Sequence, residues 1–411
     1  MSVRIIVLLF CFFVGHCGLC STYTVCNQCE LSTIKSAIDK ASPGDTLIFD
    51  AGIYESQGIE ITKSLVLIGK EGAILDGGGK DYILKILADD VSVSGFELVN
   101  SGRSYTKDYA AIYIYKTSGF ILSNNVITKS FFGILAEKSK NGQINQNKVL
   151  GTATREDQSG NGIHLWDCDS VKIAQNEVSG MRDGIYLEFV DASFVQDNHS
   201  HHNVRYGLHF MFSNHDEYRS NTFEKNGAGV AVMFSKWIKM KDNRFIQNWG
   251  TASYGLLLKE IYDGEVENNL FDRNTIAVYV DGSSRVTYSN NVFRQNGWAV
   301  KVSGGCYANS FVANDFISNS FGISYNSMLN DNVFSGNYWS DYSGYDLDKD
   351  GVGDVPYRPV KLFSYIANKT PETIVLMRSL FVDIINFSEK VSPVFTPDAL
   401  VDHSPSMNPF K

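Results

Sequence analysis

The chain has 411 residues, with 36 lysine and arginine residues against 45 aspartate and glutamate residues, giving a net charge of −9 at pH 7. This acidic balance excludes a nucleic-acid partner, because such proteins need a basic surface that neutralises phosphates. The 26 Phe, 21 Tyr and only 8 Pro are typical of a long β-rich body, and a repeat architecture can place this whole length in one body.

Residues 1–20 have the pattern of a cleavable signal peptide. Arg4 precedes an apolar run over residues 5–14, and a cleavage site is predicted near Cys20 and Ser21. The run is shorter than the ~20 apolar residues that a membrane-spanning helix needs. Lipidation at Cys17 or Cys20 is the alternative. The pattern predicts that the mature protein is exported.

Two cysteines lie close together after the predicted cleavage site. Cys26 and Cys29 form a Cys-x-x-Cys pair, which in an oxidising compartment is most simply a small disulfide. The alternative is a thiolate pair that binds a soft metal or has a redox role.

A short helix is predicted within an N-terminal segment, 21–43. Over residues 32–40, apolar side chains recur at the spacing of one helical face, and Pro43 ends the pattern. A helix here would cover the open end of a stack of β-strands, which otherwise exposes unpaired backbone groups.

The central part of the chain repeats with a period of about 22 residues. The segment Gly207 to Ser213 returns 22 positions later as Gly229 to Ser235. An Asn-x-apolar step follows the same period, at Asn125, Asn147, Asn176, Asn198, Asn221, Asn243, Asn269, Asn291 and Asn314. This length suits three short strands per coil, with inward asparagines bonded to one another along the stack. The sequence therefore predicts an all-β, right-handed, single-stranded parallel β-helix over residues 44–345.

Alternation along the strands predicts an outward surface two columns wide. One column contains His164, Tyr186 and His209, and the other contains Met211 and Met233 on adjacent coils. Two thioethers and an imidazole within reach of one another form a soft ligand set that suits Cu(I), and His164 would join only across Tyr186.

Two simpler interpretations of the same surface remain open. The methionines would then pack against a loop, or the aromatic side chains of Trp166, Tyr186 and Tyr279 would stack against sugar rings. A further group of histidines, His199, His201, His202 and His215, is expected in the turns that flank these coils.

An Asp-rich loop, 346–357, follows the coils. Asp346, Asp348, Asp350, Val352 and Asp354 occupy positions 1, 3, 5, 7 and 9 of an EF-hand-like calcium loop that has glycine at position 6. Position 12 is a tyrosine where a bidentate glutamate is expected. We predict a weak structural Ca²⁺ site, and the alternative is a turn in which the aspartates bond their own backbone.

Residues 358–411 form a C-terminal tail of different composition. Residues 370–390 are rich in apolar side chains at mixed helical spacing, and the final segment is proline-containing and extended. Two interpretations are open: the tail folds back over the last coil, or it docks to a membrane partner. We favour docking.

Several of these segments together resemble the NosD family of periplasmic copper-binding proteins, which serve in the maturation of nitrous oxide reductase. The resemblance covers nearly the whole mature chain. It is most specific at residues 205–213, 229–235, 336–342, 346–357 and in the tail at 388–391 and 400–402. The Cys26 and Cys29 pair is not part of it.

The resemblance implies a non-catalytic subunit that works with an ABC-type ATPase and its membrane permease in the periplasm. It also implies that copper arrives from a lipoprotein chaperone and serves nitrous oxide reductase. Two other functions are compatible with the coils alone: a polysaccharide-binding or polysaccharide-cleaving protein, and a surface adhesin. The candidate carboxylates for sugar hydrolysis, Glu137, Glu188 and Asp281, lie a coil or more apart without clear pairing.

Overall fold

The computed structural model describes residues 20–104, 106–250, 253–325, 331–377, 379–391 and 400–411. Within these ranges the chain is a right-handed parallel β-solenoid of about 13 turns, as the repeat predicts, with few helices. The predicted signal peptide lies outside the described residues, apart from Cys20. None of the helices in the described ranges has the length and apolar content needed to span a bilayer.

Three parallel sheets form the three faces of the solenoid, and each coil gives one strand to each sheet. The first sheet has 14 strands, Thr22–Val25, Thr46–Phe49, Val66–Gly69, Ser92–Ser94, Ile121–Ser123, Gln143–Asn145, Lys172–Ala174, Phe194–Gln196, Glu217–Arg219, Lys239–Lys241, Tyr262–Glu267, Ser284–Ser289, Ser310–Val312 and Val333–Ser335. The second sheet has 12 strands, Ile59–Ile61, Leu84–Ile86, Ala110–Tyr115, Phe132–Glu137, Ile163–Trp166, Asp183–Glu188, Tyr206–Met211, Ala228–Met233, Leu256–Lys259, Ile276–Asp281, Trp298–Ser303 and Phe321–Tyr325. The third sheet has 13 strands, Gly52–Glu55, Ala73–Asp76, Glu97–Val99, Val126–Thr128, Lys148–Leu150, Glu177–Ser179, His199–His201, Thr222–Glu224, Arg244–Ile246, Leu270–Asp272, Val292–Arg294, Asp315–Ile317 and Tyr338–Trp339.

The interior is a single apolar column that runs the length of the stack. Inward phenylalanines of successive coils stack face to face, for example Phe245 on Phe271 at 4.6 Å between ring centroids and Phe271 on Phe293 at 5.0 Å. Each such ring, when fully buried, contributes roughly 2 to 3 kcal/mol, so the repeat itself supplies the core.

The predicted asparagine ladder is present at one corner of the coils. Asn125 Nδ2 donates to Asn147 Oδ1 at 3.0 Å, and the same bond repeats coil by coil up to Asn314 and Asn337. A second ladder from Asn203 to Asn319 was not predicted, and it satisfies buried polar groups at a neighbouring corner. Both ladders hold the coils in register, because an unpaired buried amide is costly.

The N-terminal end of the stack carries helix α1, Ile34–Lys40. Thr33 caps it through a reciprocal capping box with Ser36, and the buried Ile34, Ala37 and Ile38 face the core, as predicted for an end cover. Just before it, Cys26 and Cys29 are joined by a disulfide, which is one of the two alternatives that the sequence left open.

The C-terminal tail has two parts that the structure describes. Helix α2, Leu362–Lys369, a short 3₁₀ helix, Pro371–Leu376, and helix α3, Leu380–Val391, lie beside the last coils. Their inner residues Phe363, Ala367 and Val382 pack on Trp298 and Phe321. Residues 400–411 return to the end of the stack, so part of the tail covers the last coil.

Candidate functional site

The second sheet aligns the candidate copper ligands in the expected columns. His164 pairs with Tyr186 and Tyr186 pairs with His209 on successive coils. Met211 pairs directly with Met233 on the next coil. Since parallel strands lie about 4.8 Å apart, the two methionines extend from neighbouring positions of one wall.

The column of His209 is outward but not exposed, which differs from the solvent-facing surface expected from the sequence. His209 is only 5% exposed. Its imidazole lies between the rings of Tyr186 and Tyr206, each 4.7 Å away between ring centroids. The hydroxyls of Tyr206 and Tyr254 approach to 3.4 Å, so an aromatic layer covers the wall, which alternation alone does not reveal.

An ion pair between a fully buried carboxylate and a partly exposed arginine lies beneath this layer. The Arg205 guanidinium donates two hydrogen bonds to the fully buried Asp183 carboxylate, with Nε to Oδ1 at 2.8 Å. His209 Nδ1 is 3.5 Å from Asp183 Oδ2. Burial alone would raise the pKa of Asp183, but the bonds from Arg205 and His209 lower it to about 2. The carboxylate is therefore charged under all physiological conditions.

His164 stands on the far side of Tyr186 from His209, so it does not join the same donor group directly. Its ring centroid is 4.7 Å from that of Tyr186, and its Nδ1 is 3.4 Å from the Asn161 amide. Burial, together with the nearby positive charge of Arg182, lowers the pKa of His164 to about 3. The imidazole is neutral and keeps a lone pair.

The methionine thioethers are the more accessible part of the wall. Met211 and Met233 are both half-buried. The Tyr186 hydroxyl lies 3.6 Å from Met211 Sδ and donates to it. Lys259 follows Met233 in the same column, so the apolar, sulfur-bearing stretch of this column is two coils long.

Three residues of this site were not predicted as functional: Asp183, Arg205 and Tyr206. Arg205 and Tyr206 belong to segment 205–213, which also contains His209, and this is the signal that could have identified them. Asp183 is the first residue of its strand, and no sequence pattern marks it. Only the pairing of Asp183 with Tyr206 on the next coil places it under His209.

The Asp-rich loop brings carboxylates together. One oxygen each from Asp346, Asp348 and Asp350 lie within 4.8 Å of one another. Asp346 also accepts backbone N–H bonds from Lys349, Asp350 and Gly351. The loop thus has both a possible cation-binding group of carboxylates and the aspartate-to-backbone bonds of the alternative interpretation.

The two later positions of the loop have other partners. Asp354 Oδ2 accepts the Leu347 N–H at 2.7 Å, and Val352 forms an antiparallel bridge with Ser406 of the returning tail. The loop is therefore fixed to the segment that covers the last coil.

Comparison with known proteins places this architecture among its relatives. A family model described as "Periplasmic copper-binding protein (NosD)" matches residues 151–344, and one described as "Right handed beta helix region" matches residues 52–214. The chain is 28% identical over 376 residues to a Pseudomonas aeruginosa protein named "Probable ABC transporter binding protein NosD", with 87% of each chain covered. It is 27% identical over 377 residues to a Stutzerimonas stutzeri protein of the same name, covering 87% of this chain and 85% of the relative.

The fold alone is shared more widely. The catalytic unit of an α-1,3-glucanase from Streptomyces thermodiastaticus superposes with a TM-score of 0.60 at 11% identity, covering 74% of this chain and 65% of the enzyme. At that identity the likeness shows a common β-helix and carries no activity with it.

Proposed function

Because the chain belongs to the NosD family, we propose that it is a periplasmic copper-binding subunit of an ABC-type system, working with its ATPase and permease. In this role it receives copper from a lipoprotein chaperone and supports the maturation of nitrous oxide reductase. It acts by binding and docking, without catalysis. The names of the curated relatives as ABC transporter binding proteins support the association.

The pairing of Met211 with Met233, beside His209 on the same strand, is the observation that carries the copper proposal. Thioether and neutral imidazole donors prefer Cu(I) over hard cations. Among the residues that the structure describes, His209 Nε2 has no hydrogen-bond partner, and Nδ1 has only the 3.5 Å contact with Asp183. Because an unpartnered buried nitrogen is costly in a purely structural residue, this supports a ligand role.

The surroundings of the wall suit transfer rather than permanent storage. Arg205 neutralises Asp183, and the half-buried Glu188 pairs with Met211 from the preceding coil. Met211 and Met233 are half-buried, whereas His209 is buried. We propose that Met211 and Met233 receive the ion, that His209 completes the ligand set after a movement of Tyr206, and that His164 is a further candidate ligand beyond Tyr186.

Anaerobic titration with Cu(I) against a chromophoric chelator tests this site. Met211→Leu and Met233→Leu keep the side-chain volume but remove the sulfur, so each is expected to weaken binding about tenfold or more. His209→Asn is expected to weaken it as well. Met377→Leu, which makes the same change in the tail, is the matched control. Unchanged affinity in both sulfur variants would reject the assignment.

The C-terminal helices supply a surface for the membrane partner. Their outer side chains are exposed, with Val375 at 90% and Leu380 at 75%, and Phe381, Ile384 and Phe387 extend the same apolar region. Exposed apolar area of this kind marks interaction sites. We propose that it contacts the permease of the ABC system, because the inner faces of these helices already pack on the solenoid.

Co-purification with the ATPase and permease tests the docking proposal. The double variant Leu380→Ser/Phe387→Ser is expected to lose most of the bound complex, whereas Ile53→Ser, an exposed apolar residue near the other end, is expected to keep it. Equal recovery of the complex with both variants would contradict docking through α3.

A polysaccharide-related function is the second candidate, and one observation favours it. Tyr82, Tyr113 and Tyr115 stack on the outer face of the second sheet, with ring centroids 4.6 Å and 6.0 Å apart. The Trp166 ring, which the sequence suggested as part of a sugar-stacking platform with Tyr186 and Tyr279, instead lies under the Lys138 ammonium at 5.1 Å. Release of reducing ends from α-1,3-glucan or alginate would favour this candidate over copper handling.

A further inference from the structure

A second group of metal-binding side chains lies on the third sheet, away from the methionine wall. His199 and His201 have ring centroids 4.2 Å apart, and His201 Nδ1 is 2.8 Å from His202 Nδ1. We propose that these three histidines, with Glu177 and Glu224, form a site for a divalent transition-metal ion such as Zn²⁺ or Cu²⁺.

The fold brings these side chains together from distant sequence positions. His199 and His201 both point outward because Ser200 between them is fully buried. His202 follows with a φ of 52°, and this left-handed turn brings its ring back beside His201. The histidines are therefore on and directly after a strand, rather than in the turns expected from the sequence.

His215, which the sequence grouped with these three, lies elsewhere. Its ring stacks on Trp237 at 4.6 Å, and its Nδ1 is 2.8 Å from Asp191. It therefore serves as a control for the cluster.

The neighbouring coils add two carboxylates. Glu177 of the preceding coil pairs with His199, and Glu224 of the following coil pairs with His201. Glu177 Oε1 is 3.6 Å from His201 Nε2, and Glu224 Oε2 is 3.6 Å from His199 Nε2. Both carboxylates balance the charge of a bound cation.

Two lysines share these carboxylates. Lys148 is 3.0 Å from Glu177, and Lys225 is 3.0 Å from Glu224. All four side chains are partly exposed, so these ion pairs are weak and can rearrange when a cation binds.

The spacing of the nitrogens suits coordination. Two nitrogen ligands on a tetrahedral Zn²⁺ at about 2.0 to 2.1 Å stand about 3.3 Å apart. The two Nδ1 atoms are 2.8 Å apart, so a small rotation of the exposed His202 ring would bring them to that separation. His201 Nε2 has no hydrogen-bond partner among the described residues and lies 3.6 Å from Glu177, so it is placed to coordinate an ion together with that carboxylate.

The donor types separate this site from the methionine wall. Imidazole and carboxylate ligands suit divalent borderline ions, whereas thioethers select Cu(I). The cluster also belongs to a different sheet from Met211 and Met233. The inference therefore does not depend on the proposed copper function, and loss of one site leaves the other measurable.

Titration of the metal-free, full-length protein with Zn²⁺ and separately with Cu²⁺, against a chromophoric chelator, tests the site. His201→Ala/His202→Asn is expected to lose one bound ion or to weaken it at least tenfold, and His215→Ala is expected to match the wild type. Asparagine is chosen at position 202 because it tolerates the left-handed backbone. Met211→Leu/Met233→Leu is expected to retain the ion.

One further measurement decides the assignment. The Cu²⁺ spectrum by electron paramagnetic resonance is expected to show nitrogen splittings that disappear in the double variant. If the double variant misfolds, His202→Asn alone, an exposed change, serves in its place. Wild-type stoichiometry and affinity in a folded cluster variant would overturn the proposal.

Discussion

Among single side chains, Asp216 has a buried carboxyl group whose pKa lies far above the usual range for aspartate. One of its oxygens accepts the Ser193 N–H at 2.8 Å, and the other is buried without a hydrogen-bond partner in the described part of the chain. Burial, with the nearby Asp191 and Asp169, raises the pKa of Asp216 to about 8. The group is therefore protonated in the folded protein at neutral pH.

Replacing this carboxyl with an amide should stabilise the protein in a pH-dependent way. The unfolded pKa is about 3.9, so the raised folded value favours folding below about pH 4, and this contribution is lost as pH rises through 8. Asp216→Asn does not titrate and is expected to be about 2 to 4 kcal/mol more stable than wild type at pH 8, with little difference at pH 4. Asn309 already fills the equivalent position four coils later, where it accepts the Val286 N–H.

Denaturant unfolding from pH 4 to 9 measures this difference. Asp39→Asn, which changes an exposed carboxyl on helix α1 far from Asp216, is the control and is expected to follow the wild type. A constant difference across the pH range would show that Asp216 is ionised in the folded state.

The residues of the candidate copper site could be predicted from the sequence only in part. Met211, Met233 and His209 could be placed on one wall because period and alternation are local properties of the sequence. The cover formed by Tyr206 and Tyr254 could not, since Tyr254 reaches its partner across 48 positions through a loop outside the repeat.

At the scale of one element, the Asp-rich loop connects the last coil to the tail. Its carboxylates at Asp346, Asp348 and Asp350 converge, and Gly351 adopts a φ of 88° at the turn position of the calcium loop. A structural Ca²⁺ site stays a prediction. We expect it to be weak because Tyr357 occupies the position of the bidentate glutamate, and the Tyr357 ring packs on Trp339.

Thermal unfolding with and without calcium tests this element. A site with millimolar to submillimolar affinity, given 10 mM Ca²⁺, is expected to raise the Tm by roughly 2 to 4 °C. Asp348→Asn/Asp350→Asn should abolish the shift, and Asp39→Asn on helix α1 should keep it. A Tm that does not respond to Ca²⁺ or to chelator would leave only the backbone-bonded turn.

Across the whole molecule, the asparagine ladder ends on a side chain from the tail. Asp402 is fully buried, and its Oδ2 accepts the Asn337 N–H, the Asn337 amide and the Trp339 indole N–H at 3.0 to 3.1 Å. Oδ1 accepts the Gly336 N–H at 3.1 Å. A carboxylate has no donor of its own, so it completes a chain of bonds in which each asparagine donates to the next coil.

Removal of this carboxylate should weaken the C-terminal end of the stack first. Asp402→Ala leaves several buried donors without acceptors, at a cost of about 3 kcal/mol or more. Because each coil contacts only its neighbours, hydrogen exchange is expected to accelerate at the amides of Asn314 and Asn337 and to stay slow at Asn125. Asp402→Asn, which keeps one acceptor, should have a smaller effect. Uniform acceleration along the chain would contradict local capping.

Only contacts that repeat leave a pattern in the sequence. The stack could therefore be predicted, whereas the tail that closes it could not. Coils with a regular period fix one another through contacts that repeat, so Asn125 and Asn147 identify the ladder by spacing alone. The contacts between the tail and the stack do not repeat, and a contact such as that of Asp402 with Asn337, 65 positions apart, leaves no periodic signal.

The asparagine ladder, in which each amide donates to the next coil, also determines how the solenoid can change in length. From Asn125 to Asn337 each junction between coils uses the same donor and acceptor, so adding or deleting one complete unit of about 22 residues between Met233 and Asn337 would preserve the remaining junctions. Each such event would move the sulfur-bearing wall by one step of about 4.8 Å relative to the apolar helices at the end. The distance between the methionine pair and the apolar C-terminal helices would therefore change only in whole steps of one coil.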